Sequence, residues 1–179
     1  MTTGPNMGGS GEGYVCVTCG QRHDGPPMSF GFDAPLLYES ITADERDTRC
    51  GLTPDLCVVD GKHFFVRGCL EIPVLDGPGP FGWGVWCSLS KENFERTKMM
   101  WGSECRVNES PYFGWLSNRL PFYPDTLNLK THVHSRVVGQ RPFIELEPTN
   151  HPLAFEQRLG ISMARVQEIA TAMLHRDYS

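Results

Sequence analysis

An α+β fold with a largely antiparallel sheet and peripheral helices is what this sequence predicts, on three observations. Runs of β-branched and aromatic residues dominate its middle. Helical spacing of apolar side chains is confined to short stretches between and after those runs. The 19 glycines and 14 prolines among 179 residues divide the chain by many turns, which excludes long bundles and coiled coils. With 40% apolar residues the chain suits one domain of ordinary size.

Residues 1–13 are Gly-rich, with neither a basic start nor an apolar stretch, and read as a flexible tail, so a single α+β domain is expected over residues 14–179. Residues 14–17 form a short strand that runs into Cys16-Val17-Thr18-Cys19-Gly20. Thr42-Ala43-Asp44-Glu45 is a capping box: the Thr hydroxyl accepts from the third helical N–H and Glu45 reaches back, opening a helix to about Arg49. Residues 56–59 and 63–72 are strands joined at Asp60-Gly61, a pair suited to the positive φ of a tight hairpin. Residues 81–89 make a third strand, after which Ser90 caps a helix carrying Phe94, Met99 and Trp101. Further strands are expected over 111–116, 127–137 and 143–147. Ser162 caps a last helix to about His175, with Met163, Val166, Ile169, Ala170 and Met173 at helical spacing.

The net charge of −5 disfavours nucleic acid as a partner, because phosphate contact needs a basic face. Apolar runs of a few residues fall far short of the roughly 20 that a membrane helix needs, so no membrane association is expected. Seven cysteines without an export signal point to a reducing cytoplasm, where close Cys pairs bind metal or do redox chemistry.

Cys16-x-x-Cys19-Gly20 at a strand-to-turn transition has the shape of an N-terminal half zinc ribbon: two thiolates converge on one ion and Gly lets the backbone turn beneath it. His23 lies close enough in sequence to curl back as a third ligand, while Cys50 and Cys57 compete for the fourth place. A thioredoxin-like redox pair is the other reading, disfavoured because no helix-forming segment follows Cys19. Cys69, Cys87 and Cys105 have no close Cys partner and read as buried small hydrophobes. Gly77-x-Gly79-x-x-Gly82 spells a dinucleotide fingerprint, yet Pro78 and Pro80 delete amide donors and a strand follows, so it is a decoy.

His132 and His134, two apart on a strand, face the same way. A two-residue turn at Gly139-Gln140, with Gly in the first central position, sets His134 opposite Glu145 and His132 opposite Glu147, with Leu129, Val133, Ile144 and Leu146 on the buried side. The resulting face is either an acid/base or metal face or a solvated one with cross-strand pairs. Aromatics gather in Phe81-Gly82-Trp83-Gly84-Val85-Trp86 and Tyr112-Phe113-Gly114-Trp115. Core packing explains them, although the interleaved glycines leave room for a flat ligand or a close backbone.

The ordered run of Cys16-x-x-Cys19-Gly20-x-x-His23, Asp55-Leu56-Cys57, Phe64-Phe65-Val66-Arg67-Gly68, Glu71-Ile72-Pro73, Trp83-Gly84-Val85-Trp86-Cys87-Ser88-Leu89-Ser90, Pro111-Tyr112-Phe113-Gly114-Trp115-Leu116, Tyr123-Pro124-Asp125-Thr126-Leu127 and His151-Pro152-Leu153-Ala154 resembles a bacterial family catalogued only as a domain of unknown function. The resemblance implies one domain and a bacterial cytoplasmic setting, and brings no reaction across. Because Cys57 lies within a matching stretch, it also favours Cys57 over Cys50. The expected metal set is therefore Cys16, Cys19, His23 and Cys57, with zinc as the cofactor. Two function classes follow. One is a zinc-stabilised binding or regulatory module with a protein or small-molecule partner. The other is a metal-assisted hydrolase or acid/base enzyme drawing on His132, His134, Glu145, Glu147 and Asp125.

Overall fold

The structure, a computed structural model, describes residues 25–174 throughout and the backbone of residues 14–15 and 22–23. The tail expected over 1–13 and both cysteines of the Cys16/Cys19 half-site lie outside the described residues. In chain order the elements are β1 (Tyr14–Val15), β2 (Arg22–His23), β3 (Ser29–Gly31), α1 (Leu36–Glu39), α2 (Ala43–Arg49), β4 (Cys50–Leu52), β5 (Leu56–Val59), β6 (His63–Ile72), β7 (Phe81–Leu89) and α3 (Lys91–Met100). After a 3-10 turn at Glu104–Asn108 come β8 (Tyr112–Leu116), β9 (Lys130–His134), β10 (Phe143–Leu146), α4 (Pro152–Leu159) and α5 (Met163–Leu174).

The main sheet runs β3-β7-β8-β9-β10-β6-β5-β4, and β6 also pairs with β7. Strands β6 to β10 therefore close on themselves as a five-stranded barrel, which removes their free edges. Most pairings are antiparallel, as expected; β3 with β7 and β10 with β6 are parallel. Alternation fills the barrel. Phe64, Val66, Leu70 and Ile72 of β6 and Phe81, Trp83, Val85, Cys87 and Leu89 of β7 are buried, while Arg67, Cys69 and Glu71 alternate to the outside. Closure depends on two glycines. A Cβ on Gly68 would sit 2.5 Å from Ile144 of β10, and one on Gly114 would sit 2.6 Å from the Ser88 carbonyl of β7. Phe94 of α3, Leu153 and Ala154 of α4, and Val166 and Ile169 of α5 complete this core.

A smaller cluster of Ile41, Cys57, Val59, Phe65 and Trp86 packs outside the barrel. Trp86 Nε1 donates to the Phe32 carbonyl at 3.0 Å. Buried Asn118 accepts from Trp86 N at 2.7 Å and donates to the Ala34 carbonyl at 2.9 Å, so the chain after β3 is tied to β7 by satisfied buried polar groups.

The 60–61 turn has φ of 54° at Asp60 and 61° at Gly61, as a primed hairpin requires. Ser90 caps α3, accepting from Asn93 N at 3.1 Å, and Ser162 accepts from Arg165 N at 3.2 Å. At α2 the expected box takes a different form: the Thr42 hydroxyl donates to the Glu45 carboxylate at 2.7 Å and caps no backbone N–H. The strand expected over 127–137 is shorter, because Asn128 adopts a φ of 63° within a turn that ends only at Leu129.

The β9–β10 connection corrects the expected two-residue turn. It runs from Ser135 to Pro142, and Gln140 N bonds the Val137 carbonyl at 3.1 Å, which puts Gly139 (φ 91°) in the second central position. Arg106 is the physical reason. Only 4% exposed, it donates to the carbonyls of Trp101 (2.6 Å), Arg136 (2.5 Å) and Gln140 (2.6 Å), and so holds the loop wrapped around it. The register consequently pairs His132 with Glu145 and Val133 with Ile144, two residues from the expected alignment. A two-residue shift leaves every side chain on its expected face.

Candidate functional site

The face carried by β8, β9 and β10 gathers the exposed chemistry. Across it Phe113, His132 and Glu145 lie in one row, and His134 pairs with Phe143. The buried side of the same strands carries Thr131, Val133, Ile144 and Leu146, which is why the imidazoles point to water. His134 Nε2 lies 2.7 Å from Glu145 Oε2 and His132 Nε2 lies 3.3 Å from Glu147 Oε1. The side-chain couples expected from sequence thus form, across diagonal rather than directly opposed positions.

Two aromatics border this row. Phe113 and Trp115 remain 41% and 40% exposed, with ring centroids 5.1 Å apart in an edge-to-face arrangement, and Phe113 stands 6.3 Å from the His132 ring. Trp83 and Trp86, which occur in a similar Gly/Trp pattern, are fully buried. The sequence does not separate these cases, because barrel closure buries Trp83 and the cluster around Ile41 and Phe65 covers Trp86, whereas the outer face of β8 meets water.

At the start of β8 the Glu109 carboxylate accepts from Arg96 at 2.6 and 2.9 Å and from the Tyr112 hydroxyl at 2.6 Å. The Arg96 bond, then the Tyr112 bond, pull its carboxyl down to about 2. Burial, reinforced by Glu109, pushes the Tyr112 hydroxyl up to about 12. These groups anchor the start of the strand.

Asp125 is not brought to the His face. Its carboxylate accepts from Leu127 N at 3.1 Å and Arg119 at 3.2 Å, and the Leu127 amide first, with Arg119 adding to it, holds it below the usual carboxylate range. Each imidazole of the face meets one carboxylate, and among the described residues no three His, Cys, Asp or Glu side chains come together to hold a metal.

Of the expected zinc set, Cys57 is buried among Ile41, Val59, Phe65 and Trp86, and burial first, then Cys50, push its thiol up to about 12. Cys50 is half-buried on the same face of the β4–β5 pair, diagonal to Cys57. His23 pairs through its backbone with Tyr14, and Arg22 with Val15, so two antiparallel strands bracket the Cys-x-x-Cys-Gly sequence. Of the remaining thiols, Cys87 is buried as expected, whereas Cys69 is half-buried and Cys105 is exposed.

A family model described as an uncharacterized protein conserved in bacteria (DUF2199) matches residues 15–161, and the chain belongs to that family. No curated protein and no solved structure matches it. Among the described residues no helix is long and apolar enough to cross a membrane.

Proposed function

We propose that this chain is a cytoplasmic, zinc-stabilised binding module that engages a protein or small-molecule partner through the Phe113/Trp115/His132/His134 face. The observation that carries the reading is the exposed edge-to-face Phe113–Trp115 pair, set on strands whose buried side is complete. Aromatic side chains supply large, rigid contact area and are enriched where proteins bind partners. The His–Glu couples beside them add polar, orientable contacts at the rim of that apolar centre.

Zinc is assigned to Cys16, Cys19 and His23 with one thiol of the Cys50/Cys57 pair. The β1–β2 pairing supports this, because a short hairpin around Cys-x-x-Cys-Gly suits two thiolates converging on one ion. Cys57 takes the fourth place only by giving up a proton that burial now holds; Cys50, diagonal to it, is the less buried of the two. A bound zinc supplies fixed tetrahedral crosslinking of this segment.

Elemental analysis of the full chain purified without chelator is expected to give about one zinc per chain, and its absence overturns the metal assignment. Cys16→Ser is expected to lose the metal and lower Tm. A photocrosslinking residue at position 115 is expected to give a discrete adduct in cells that the same residue at exposed position 159 does not. Identical adducts at both positions, or none, overturn the choice of face.

A further inference from the structure

Arg67 is the one arginine, among those whose side chains are described, that makes no hydrogen bond. Its side chain is only 16% exposed and its Nε is buried without a partner. The nearest carboxylate, that of fully exposed Asp33, stops at 3.9 Å, beyond hydrogen-bond reach. The Trp86 ring lies 5.9 Å from the guanidinium, a weak cation–π contact. A guanidinium does not shed its proton at any working pH, so this charge stays, and a covered cation without acceptors is a position that an anion stabilises.

The surroundings are cleared for it. Gly31 of β3, Gly84 of β7 and Cys69 of β6 stand in one register row, two of them without side chains. A Cβ on Gly31 would lie 3.2 Å from Arg67 Nη2, and a Cβ on Gly84 would lie 3.3 Å from the Gly31 Cα. The guanidinium thus rests against bare backbone. Neighbouring cations are already engaged, Arg141 with Asp55 and Arg136 with Glu71, each at 2.6 Å. Among the described residues a polyanion would find here a single cation without a hydrogen-bonded acceptor; a small ligand needs no more.

We propose that Arg67, resting against the Gly31–Gly84 backbone, anchors a binding site for a small oxyanion: the carboxylate or phosphate group of a small molecule. The proposal rests on neither the aromatic face nor the zinc assignment. Asp33 is its loose electrostatic competitor, standing where an anion would approach.

The test titrates the full chain with inorganic phosphate and, separately, acetate, following arginine Nε–H resonances and Tm. One of the two anions is expected to shift a single Nε–H signal saturably and to raise Tm, and the responding anion tells phosphate from carboxylate. Arg67→Leu is expected to abolish both responses. Gly31→Ala, which keeps every charge but places a methyl group against Nη2, is expected to weaken binding at least tenfold. Asp33→Asn is expected to tighten it severalfold, which a merely structural Arg67 would not produce. Saturation by neither anion overturns the proposal, as does a response that survives Arg67→Leu. If Arg67→Leu does not fold, an unchanged affinity in Gly31→Ala overturns it instead.

Discussion

Arg106 and Arg67 are both largely covered guanidinium groups, and the fold treats them in opposite ways. Arg106 distributes its donors over two carbonyls of the 135–142 loop, which has no regular pairing of its own, and the Trp101 carbonyl at the end of α3, and its guanidinium carbon lies 5.0 Å from the Trp101 ring centre. Arg67 sits on the barrel strand β6 and, among the described residues, finds no acceptor within hydrogen-bond reach. Burial of a cation therefore says little about its role until its acceptors are counted. A covered arginine with internal acceptors is part of the fold; one without them has capacity left over.

The largest effect follows from the first of the two. Arg106→Leu leaves three carbonyls without their donor and the 135–142 loop without its centre, and is expected to cost about 3–5 kcal/mol in urea unfolding. Arg67→Leu, by the same measurement in anion-free buffer, is expected to change stability by no more than about 1 kcal/mol in either direction, because no hydrogen bond is lost. Equal costs for the two variants would break the comparison.

The same contrast explains what the sequence made legible. Runs of β-branched, aromatic and apolar residues along 63–72 and 81–89 identified both long strands, and parity along 129–134 and 143–147 placed the imidazoles and carboxylates on one side, because side-chain direction is a local property. Barrel closure, the parallel pairings of β3 and β10, and the short strand β4 depend on contacts between distant segments that no local pattern encodes. Helix α4 had a readable start, since His151 precedes Pro152 at the first helical position and its Nδ1 accepts from Leu153 N at 3.2 Å. The turn at Gly139 was misplaced because Arg106, some thirty residues earlier, sets the loop's course. Of the candidate site, residue types and faces were legible; the exposure of Trp115 against the burial of Trp83 was not, because which face of a strand a closed barrel encloses depends on pairings between distant segments.

Glu109 tests an anionic counterpart of Arg106, a carboxylate whose partners are all internal. Because its folded-state value is pulled down to about 2 against an ordinary carboxylate value near 4.3, its contribution to stability is complete above the ordinary value and is lost as pH falls toward 2. Tm of the unmodified protein is expected to fall through that window. Glu109→Gln is expected to lower Tm at neutral pH and to flatten the acid slope, and an unchanged slope would assign the acid sensitivity to other carboxylates.

The smallest effect belongs to the His134–Glu145 couple, whose 2.7 Å separation is within about 0.2 Å of the Arg106 bonds, yet whose side chains are 35% and 52% exposed. Water competes for both partners here, and ions screen what remains, so distance alone overstates the interaction. A double-mutant cycle with His134→Ala and Glu145→Ala is expected to give a coupling of about 0.2–1 kcal/mol. Raising the ionic strength to 1 M should shrink that coupling while leaving the cost of Arg106→Leu essentially unchanged, because Arg106 itself is almost wholly covered. A His–Glu coupling that matched the Arg106 effect, or ignored salt, would mean that this face is desolvated in solution, and would place a covering partner over Phe113 and Trp115.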